Sequence, residues 1–173
     1  MNGFAEQWQR ARPDLDAGTL VTIGALLALA QRLDQEFRTY TQANFDMGTG
    51  DMRILLALRR ANDSLTLRPA DLFRALLITS GAVTKQLERL TQRGLVERIP
   101  DPQRKGGWQI RLTAAGTRVA DAALTTIHDE FKIAIGFNKM TKQEQDGGIR
   151  FLERLSAEYG GTDLFALGTR TDS

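Results

Sequence analysis

A polar stretch in the middle of the chain carries the side chains best suited to binding chemistry. On a helical wheel drawn from residue 80 to residue 93, Val83, Leu87 and Leu90 fall on one side, and polar side chains occupy the other. Hydroxyl, ammonium and guanidinium groups at helical spacing can donate hydrogen bonds to base edges and to phosphate oxygens. The candidates are Ser80, Thr84 and Lys85 for base edges and Arg89 for a phosphate, with Gly81 as a place where a backbone can approach closely.

Further basic side chains flank this stretch on both sides. Arg104 and Lys105 stand beside two glycines between two strand patterns, where the tip of a hairpin can enter a minor groove. Arg68 precedes Pro69, which suits the first position of a helix. We expect Arg68 to reach a phosphate, although a plain loop arginine fits the sequence equally well. The two glycines are explained by turn chemistry alone, and Trp108 suits packing better than base stacking.

The basic residues are concentrated in the centre of the chain. The whole sequence has a net charge of only +2. Residues 53–111 contain twelve basic and five acidic side chains, which gives this segment a net charge of +7 and leaves −5 on the flanks together. Such a distribution localises the electrostatic attraction for an anionic partner at one part of the surface.

The elements that must position these side chains can be read from periodicity. Residues 69–76 and 80–93 have helical patterns, with a turn at Leu77-Ile78-Thr79 and a helix end at Gly94. Residues 95–99 and 108–112 alternate like strands on either side of a basic, glycine-rich loop. A helix-turn-helix followed by a basic hairpin is a winged helix, which typically binds duplex DNA.

Long helical patterns precede and follow this central region. Residues 18–45 carry an apolar stripe, and a helix over 26 residues would be about 39 Å long, which favours packing against a second subunit. After the hairpin, a helix opening at residue 113 has Val119, Ala122, Ala123, Ile127, Phe131 and Ile135 on one face. We expect Gly136-Phe137-Asn138 to interrupt it, Thr141 and Glu144 to form a capping box for a last helix, and Gly160-Gly161 to end that helix.

The predicted fold is therefore mainly α, with a small β-hairpin wing and N- and C-terminal dimerisation helices around a winged helix-turn-helix. Residues 1–48 would supply N-terminal dimerisation helices, and residues 49–113 the DNA-binding region. Residues 114–160 would form the C-terminal dimerisation helices, and residues 161–173 a flexible tail. A single monomeric helical core is the alternative to a dimer.

Composition argues against several other classes of protein. The chain has no cysteine and one histidine, so it offers no disulfide, thiolate nucleophile or histidine cluster for a metal. It also contains no nucleotide-binding or nucleophile-elbow motif, and we therefore expect neither an enzyme nor a cofactor. No apolar run approaches the roughly 20 residues of a membrane helix, and residues 1–8 do not resemble a signal peptide. The expected location is the cytoplasm.

The sequence resembles the MarR family of winged-helix regulators over roughly residues 18–160. The similarity is strongest over residues 78–90 and 93–98, at Asp101-Pro102 and over residues 112–116. The resemblance implies a homodimer built from the first and last helices and bound to a pseudo-palindromic DNA operator. It also implies repression that is relieved by a small anionic or phenolic ligand. A winged helix used as a protein–protein interaction module without DNA is the competing interpretation.

Trp8 and residues 11–16 further resemble the N-terminal extension of the urate-responsive, PecS-like branch of that family. The chain departs from the family pattern at the wing, where Arg104 and Gly106 replace an acid and an arginine, and at Arg53, which stands where the branch has an aspartate. A small aromatic or anionic effector remains the expected ligand, with a buried arginine to suit an anion. The candidate ligand-binding residues are Trp8, Arg12, Ile23, Leu27, Met52 and Leu56.

Overall fold

The computed structural model of the chain describes residues 2–76 and 80–158, and within them it contains eight α-helices and three β-strands. The predicted turn at Leu77-Ile78-Thr79, the predicted helix end at Gly160-Gly161 and the predicted tail 161–173 lie outside the described residues. The chain divides into two compact units, residues 1–40 and residues 41–173. None of the helices in the described ranges combines the length and apolar character that crossing a bilayer requires.

The first unit consists of two helices. Helix α1 spans Asn2–Ala11, and α2 begins at Ala17 and extends to Phe45, so its last turn belongs to the second unit. The Asp16 carboxylate accepts hydrogen bonds from the backbone N–H of Gly18 and of Thr19, which satisfies donors that the first turn of α2 leaves free. The expected long helix over 18–45 is thus confirmed. Helix α1 lies within residues 1–48, which were predicted to be helical, but its bounds were not predicted because ten residues give only a short window for periodicity.

The core of the second unit is built around α3 (Thr49–Arg59). Met52, Ile54, Leu55 and Leu58 on this helix are completely buried, and apolar residues of the surrounding elements pack on them. The helix-turn-helix follows as α4 (Pro69–Leu76) and α5 (Ser80–Gln92). The wheel for α5 is confirmed, because Val83, Leu87 and Leu90 are all buried.

The wing is part of a three-stranded antiparallel sheet in the order β1-β3-β2. Strand β1 is Thr66–Leu67, β2 is Val96–Pro100 and β3 is Trp108–Leu112. In the register of the hairpin, Val96 lies opposite Leu112 and Pro100 opposite Trp108. The hairpin was predicted, but β1 was not, because two residues cannot show an alternation. Leu67 pairs with Ile110, which ties the segment before α4 to the wing.

Two glycines shape the junction between α5 and the wing. Gly94 has a φ of +66°, which confirms the expected left-handed helix end. Gly116 lies in the first turn of α6 (Ala114–Asp129), where a Cβ would overlap the backbone carbonyl oxygen of Leu95 and approach Leu112 Cδ2 to 2.9 Å. The Thr113 hydroxyl donates to the carbonyl of Gly94 at 2.7 Å and accepts from the Gly116 N–H at 3.1 Å. Helix α6 is thereby fixed directly on the turn that follows α5.

The C-terminal helices differ from the expectation in the position of a break. Helix α6 ends at Asp129 and α7 spans Lys132–Asn138, so Gly136-Phe137-Asn138 lies inside a helix and does not interrupt one. The chain leaves the helical conformation at Phe131, with φ −66° and ψ 134°, because this residue is buried in the core and is the N-cap of α7. Ile135 is exposed and does not continue the buried face of α6, which consists of Gly116, Ala120 and Ala123.

The last described helix, α8, spans Lys142–Ala157, and its start confirms the predicted capping box. The Thr141 hydroxyl accepts from the backbone N–H of Glu144, and the Glu144 carboxylate accepts from the backbone N–H of Thr141 at 2.8 Å. These contacts hold the pKa of Glu144 below its usual range, because both the backbone and the hydroxyl of Thr141 favour the charged carboxylate. Helices α6 to α8 belong to the same compact unit as the wing. The boundary expected at residue 113 is therefore a prediction about function and does not divide two compact units.

Candidate nucleic-acid interface

Helix α5 presents a polar face that no described part of the chain covers. Gly81, Thr84 and Lys85 are exposed on it, on the side of the helix away from Val83 and Leu87. A Cβ placed on Gly81 would meet nothing within 4 Å, so the space outside this residue is open. Lys85 has no ion-pair or hydrogen-bond partner among the residues that the structure describes. The side chain of Ser80 lies outside the described part.

Arg89 makes an ion pair within the chain, and its predicted contact with a phosphate stays a prediction. Its Nη2 donates to Asp51 Oδ1 at 2.7 Å and its Nε to Asp51 Oδ2 at 3.2 Å, so the guanidinium pairs with a carboxylate in the first turn of α3. The Asp51 side chain is only 7% exposed, whereas that of Arg89 is 53% exposed. The hydrogen bonds from Arg89 to Asp51 raise the pKa of Arg89, which keeps the guanidinium fully charged. Sequence analysis missed this pair because its members are 38 positions apart.

Arg68 is likewise held by an ion pair, with a residue of the wing. Its Nε donates to Asp101 Oδ2 at 2.6 Å, and its Nη2 donates to the side chain of Gln103 at 2.9 Å. The Asp101 carboxylate is only 1% exposed and also accepts from the backbone N–H of Gln103. Arg68 is the main cause that holds the pKa of Asp101 below its usual range, so the carboxylate stays ionised. The prediction that Arg68 contacts a phosphate is untested, and the observed contact gives it a role in fixing the wing.

The turn of the wing keeps its two predicted cations exposed. The Arg104 N–H donates to the carbonyl of Asp101 and the Gly107 N–H to the carbonyl of Arg104, so residues 101–107 fold into consecutive tight turns. Gly106 has a φ of +74°, a conformation that an arginine side chain would strain, which accounts for glycine at this position of the wing. The side chains of Arg104 and Lys105 extend into solvent at the tip.

Trp108 packs within the hairpin, as predicted. The guanidinium carbon of Arg98 lies 4.3 Å from the centroid of the Trp108 ring, a cation–π contact between β2 and β3. Both side chains are exposed on the sheet, and Arg98 is a cation near the wing that sequence analysis did not single out. The register that brings Arg98 and Trp108 together depends on the length of the turn, which periodicity alone does not give.

The candidate ligand residues are distributed over the two units. In the first unit Trp8 packs edge-to-face on Phe4, with ring centroids 6.1 Å apart, and Ile23 and Leu27 are 52% and 67% exposed. Arg12 is not buried as expected, because it lies on the surface in an ion pair with Asp14 at 2.6 Å. In the second unit Met52 is completely buried and Leu56 is half-buried.

Within residues 2–76 and 80–158, no three histidine or acidic side chains come together in a way that could hold a metal ion. The one histidine, His128, lies near the end of α6 with an exposed side chain that contacts Asp129.

Comparisons with known proteins agree with this geometry. The model of the MarR family matches residues 45–105, which include α3, both helices of the helix-turn-helix and most of the wing turn. The transcriptional regulator PecS of Dickeya dadantii is 30% identical over 120 residues, covering 67% of this chain and 69% of PecS. A crystal structure of a mutant MarR from E. coli is 26% identical, with a TM-score of 0.58, and the match covers 79% of this chain and 94% of that one.

A solved complex of MepR from S. aureus with DNA shares the fold at 21% identity, with a TM-score of 0.63 over 78% of this chain and 95% of that one. The winged helix-turn-helix, the level of identity to PecS and the family match thus agree, and the chain belongs to the MarR family of transcriptional regulators.

Proposed function

We propose that this protein regulates transcription as a homodimer that binds a pseudo-palindromic DNA operator through α5 and the wing. The observation that carries the proposal is the open polar face of α5 with Lys85, in the same unit as the exposed Arg104 and Lys105 of the wing tip. The N-terminal part of a recognition helix reaches base edges in the major groove, and a wing reaches the backbone or the minor groove. MepR, which shares the fold, has been solved as a complex with DNA. A regulator of chromosomal DNA acts where that DNA lies, and we place this one in the cytoplasm.

Salt dependence tests the proposal against a winged helix that binds another protein. Contacts with phosphates release counterions, so the logarithm of the affinity for duplex DNA should fall linearly with the logarithm of salt concentration. We expect a slope of several units and tighter binding to the operator than to a random duplex of equal length. Two results would favour the protein–protein module. One is failure to bind duplex DNA at low salt, and the other is equal affinity for a random duplex and for every duplex taken from the DNA beside the protein's own gene.

The proposed dimer interface comprises the exposed apolar side chains of the terminal helices. In the second unit they lie on and around α7 and α8: Ile133, Ile135, Phe137, Met140, Ile149, Phe151, Leu152 and Leu155. In the first unit, Ile23, Leu27 and Leu29 of α2 are exposed as well. Exposed apolar side chains in this number along α7 and α8 mark an interaction site. Neither α7 nor α8 has a buried residue among the described residues of a single copy of the chain. This fits helices whose apolar faces are covered by a second copy.

We expect light scattering on a gel-filtration peak to give twice the chain mass of 19.2 kDa at micromolar concentration. We expect a dimer because it would bury the exposed apolar side chains of α7 and α8. Ile149→Glu, which places a charge at an exposed position of α8, should lower the mass towards that of one chain. Lys142→Glu on the same helix is the control and should leave the mass unchanged. A monomeric parent would contradict the proposed interface.

We further propose that a small aromatic or anionic effector controls DNA binding, and that neither a metal nor an oxidant does. The chain has no thiol to oxidise and one histidine. The proposed ligand residues of the first unit are Trp8, Arg12, Ile23 and Leu27, and those of the second unit are Met52 and Leu56. An effector can act only by binding one arrangement of the two DNA readers better than the other.

A panel of aromatic carboxylates should therefore include compounds that release the operator, whereas stoichiometric peroxide or zinc should not. Fluorescence anisotropy of labelled operator measures the release. Trp8→Ala should raise the effector concentration that is needed and leave operator affinity in its absence unchanged. Release by peroxide or zinc with indifference to every organic anion would contradict the proposal.

A further inference from the structure

Three side chains at one face of α5 contact the connection between α2 and α3. Gln86, Arg89 and Arg93 are spaced three and four residues apart, so they form one stripe along the helix. This stripe borders the buried Val83 and Leu90 and is separate from the polar face that carries Thr84 and Gly81. All three side chains face residues 45–51, which end α2 and begin α3.

Arg93 contacts the end of α2. Its Nη2 donates to the carbonyl of Phe45 at 2.7 Å and its Nη1 to the carbonyl of Asp46 at 2.8 Å. Asp46 has a φ of +48°, and the backbone N–H groups of Asp46 and Met47 already close the last turn of α2 on Gln42 and Thr41. The guanidinium of Arg93 therefore lies at the carboxyl end of α2, which is the negative end of the helix and is stabilised by a cation.

Arg89 and Gln86 contact the beginning of α3. Arg89 makes two hydrogen bonds to the buried Asp51. The side-chain amide of Gln86 packs so closely on Gly50 that a Cβ at Gly50 would overlap Gln86 Nε2 and lie 2.9 Å from its Cδ. We call this set of residues the clasp: Gln86, Arg89 and Arg93 with their partners Phe45, Asp46, Gly50 and Asp51.

We propose that the clasp sets the orientation of the recognition helix, and that Arg89 and Arg93 are positioning residues rather than phosphate contacts. The proposal rests on the proposed DNA-binding function of α5. Arg89 directs two of its five N–H donors to Asp51, and Arg93 directs one N–H of each terminal nitrogen to a backbone carbonyl, so both guanidinium groups are already held by the protein. In this proposal neither arginine is counted among the side chains that neutralise phosphates, although both are basic and exposed.

Asp51→Asn distinguishes a phosphate contact by Arg89 from a positioning role, because the two predict opposite changes in DNA affinity. If Arg89 contacted a phosphate, the loss of an acid near it would leave DNA binding unchanged or tighten it by simple electrostatics. If the clasp positions α5, the loss of the carboxylate weakens operator binding. We expect the affinity for the operator to fall roughly tenfold. This is near the low end for a broken ion pair, because Arg89 is half-exposed. Asp71→Asn, which removes an acid from the first turn of α4, is the charge-matched control and should bind at least as tightly as the parent.

Arg89→Met and the double variant complete the test. Arg89→Met should weaken operator binding as Asp51→Asn does, with the slope of affinity against salt unchanged, and the double variant should bind no more weakly than either single one. Binding to a random duplex should change by less than about twofold for all three. The proposal would be overturned if Arg89→Met reduced the slope by about 0.9 and weakened all duplexes alike while Asp51→Asn kept full affinity.

Gly50→Leu tests the clasp without any change of charge. The new side chain must displace Gln86, so operator affinity should fall, and Gly50→Leu/Gln86→Ala should recover most of the loss because the double variant restores the space.

Hydrogen exchange of the DNA-free protein is a second readout. The amides of residues 86–93 should exchange faster in Asp51→Asn than in Asp71→Asn. Equal exchange in these two variants would contradict the clasp even if the parent bound no DNA, whereas failure of the parent to bind DNA would by itself refute only the proposed function.

Discussion

Lys85→Ala is expected to reduce operator affinity by about 5- to 150-fold, which corresponds to about 1–3 kcal/mol for the loss of a side chain that reads a base. Lys85 is exposed on α5 and makes no described contact within the chain, so its removal should cost the protein little stability. The loss should be concentrated at one base pair of each half-site. A titration of operator variants against the parent and Lys85→Ala would show a relaxed preference at that position. The two half-sites should lie about one helical turn apart, because two readers of a dimer enter successive major grooves.

Two other variants distinguish base reading from general attraction. Arg104→Ala at the wing tip should weaken operator and random duplexes alike and reduce the salt slope by about 1. Lys139→Ala, at an exposed lysine after α7, is the control for the loss of one positive charge outside the winged helix-turn-helix and should bind as the parent does. If Lys85→Ala bound operator and random DNA with the affinities of the parent, the assigned recognition face would be wrong.

Gly116→Ala should be the most destabilising of the conservative substitutions considered for this chain. The added Cβ would overlap the Leu95 carbonyl oxygen, which belongs to the backbone and cannot rotate away as the end of a flexible side chain could. Helix α6 would have to move off the turn that joins α5 to β2, at a cost of about 3 kcal/mol, the upper end for an overpacked core site. Urea unfolding at a fixed protein concentration measures the loss as a lower midpoint.

Gly136→Ala provides a matched control for this substitution. Gly136 is also helical, but a Cβ there would meet nothing within 4 Å, so alanine should raise stability by up to about 1 kcal/mol through its better helix propensity. Equal midpoints for Gly116→Ala and Gly136→Ala would show that α6 does not depend on its close approach to Leu95.

Sequence alone determined the elements that depend on local patterns. The three- and four-residue spacing of Val83, Leu87 and Leu90 defined the buried face of α5, because a helix of 3.6 residues per turn leaves few other choices. The helix end at Gly94 and the capping box of Thr141 and Glu144 were predicted for the same reason, since both are contacts within a few residues of the chain. The strong match of residues 78–116 to the family pattern made the winged helix and its class of function predictable as well.

Only the tertiary structure decided which charged residues face a partner within the chain. A helical wheel or a count of charge does not distinguish Arg68, Arg89 and Lys85 from one another. The fold brings Asp101 to Arg68 across 33 residues and Asp51 to Arg89 across 38, whereas Lys85 remains open to solvent. The break at Phe131 was decided in the same way, because the burial of one aromatic side chain in the core outweighed the local preference of a glycine at 136. Local periodicity fixes which side of a helix is polar, but contacts between distant segments fix which of its polar groups are still available to bind DNA.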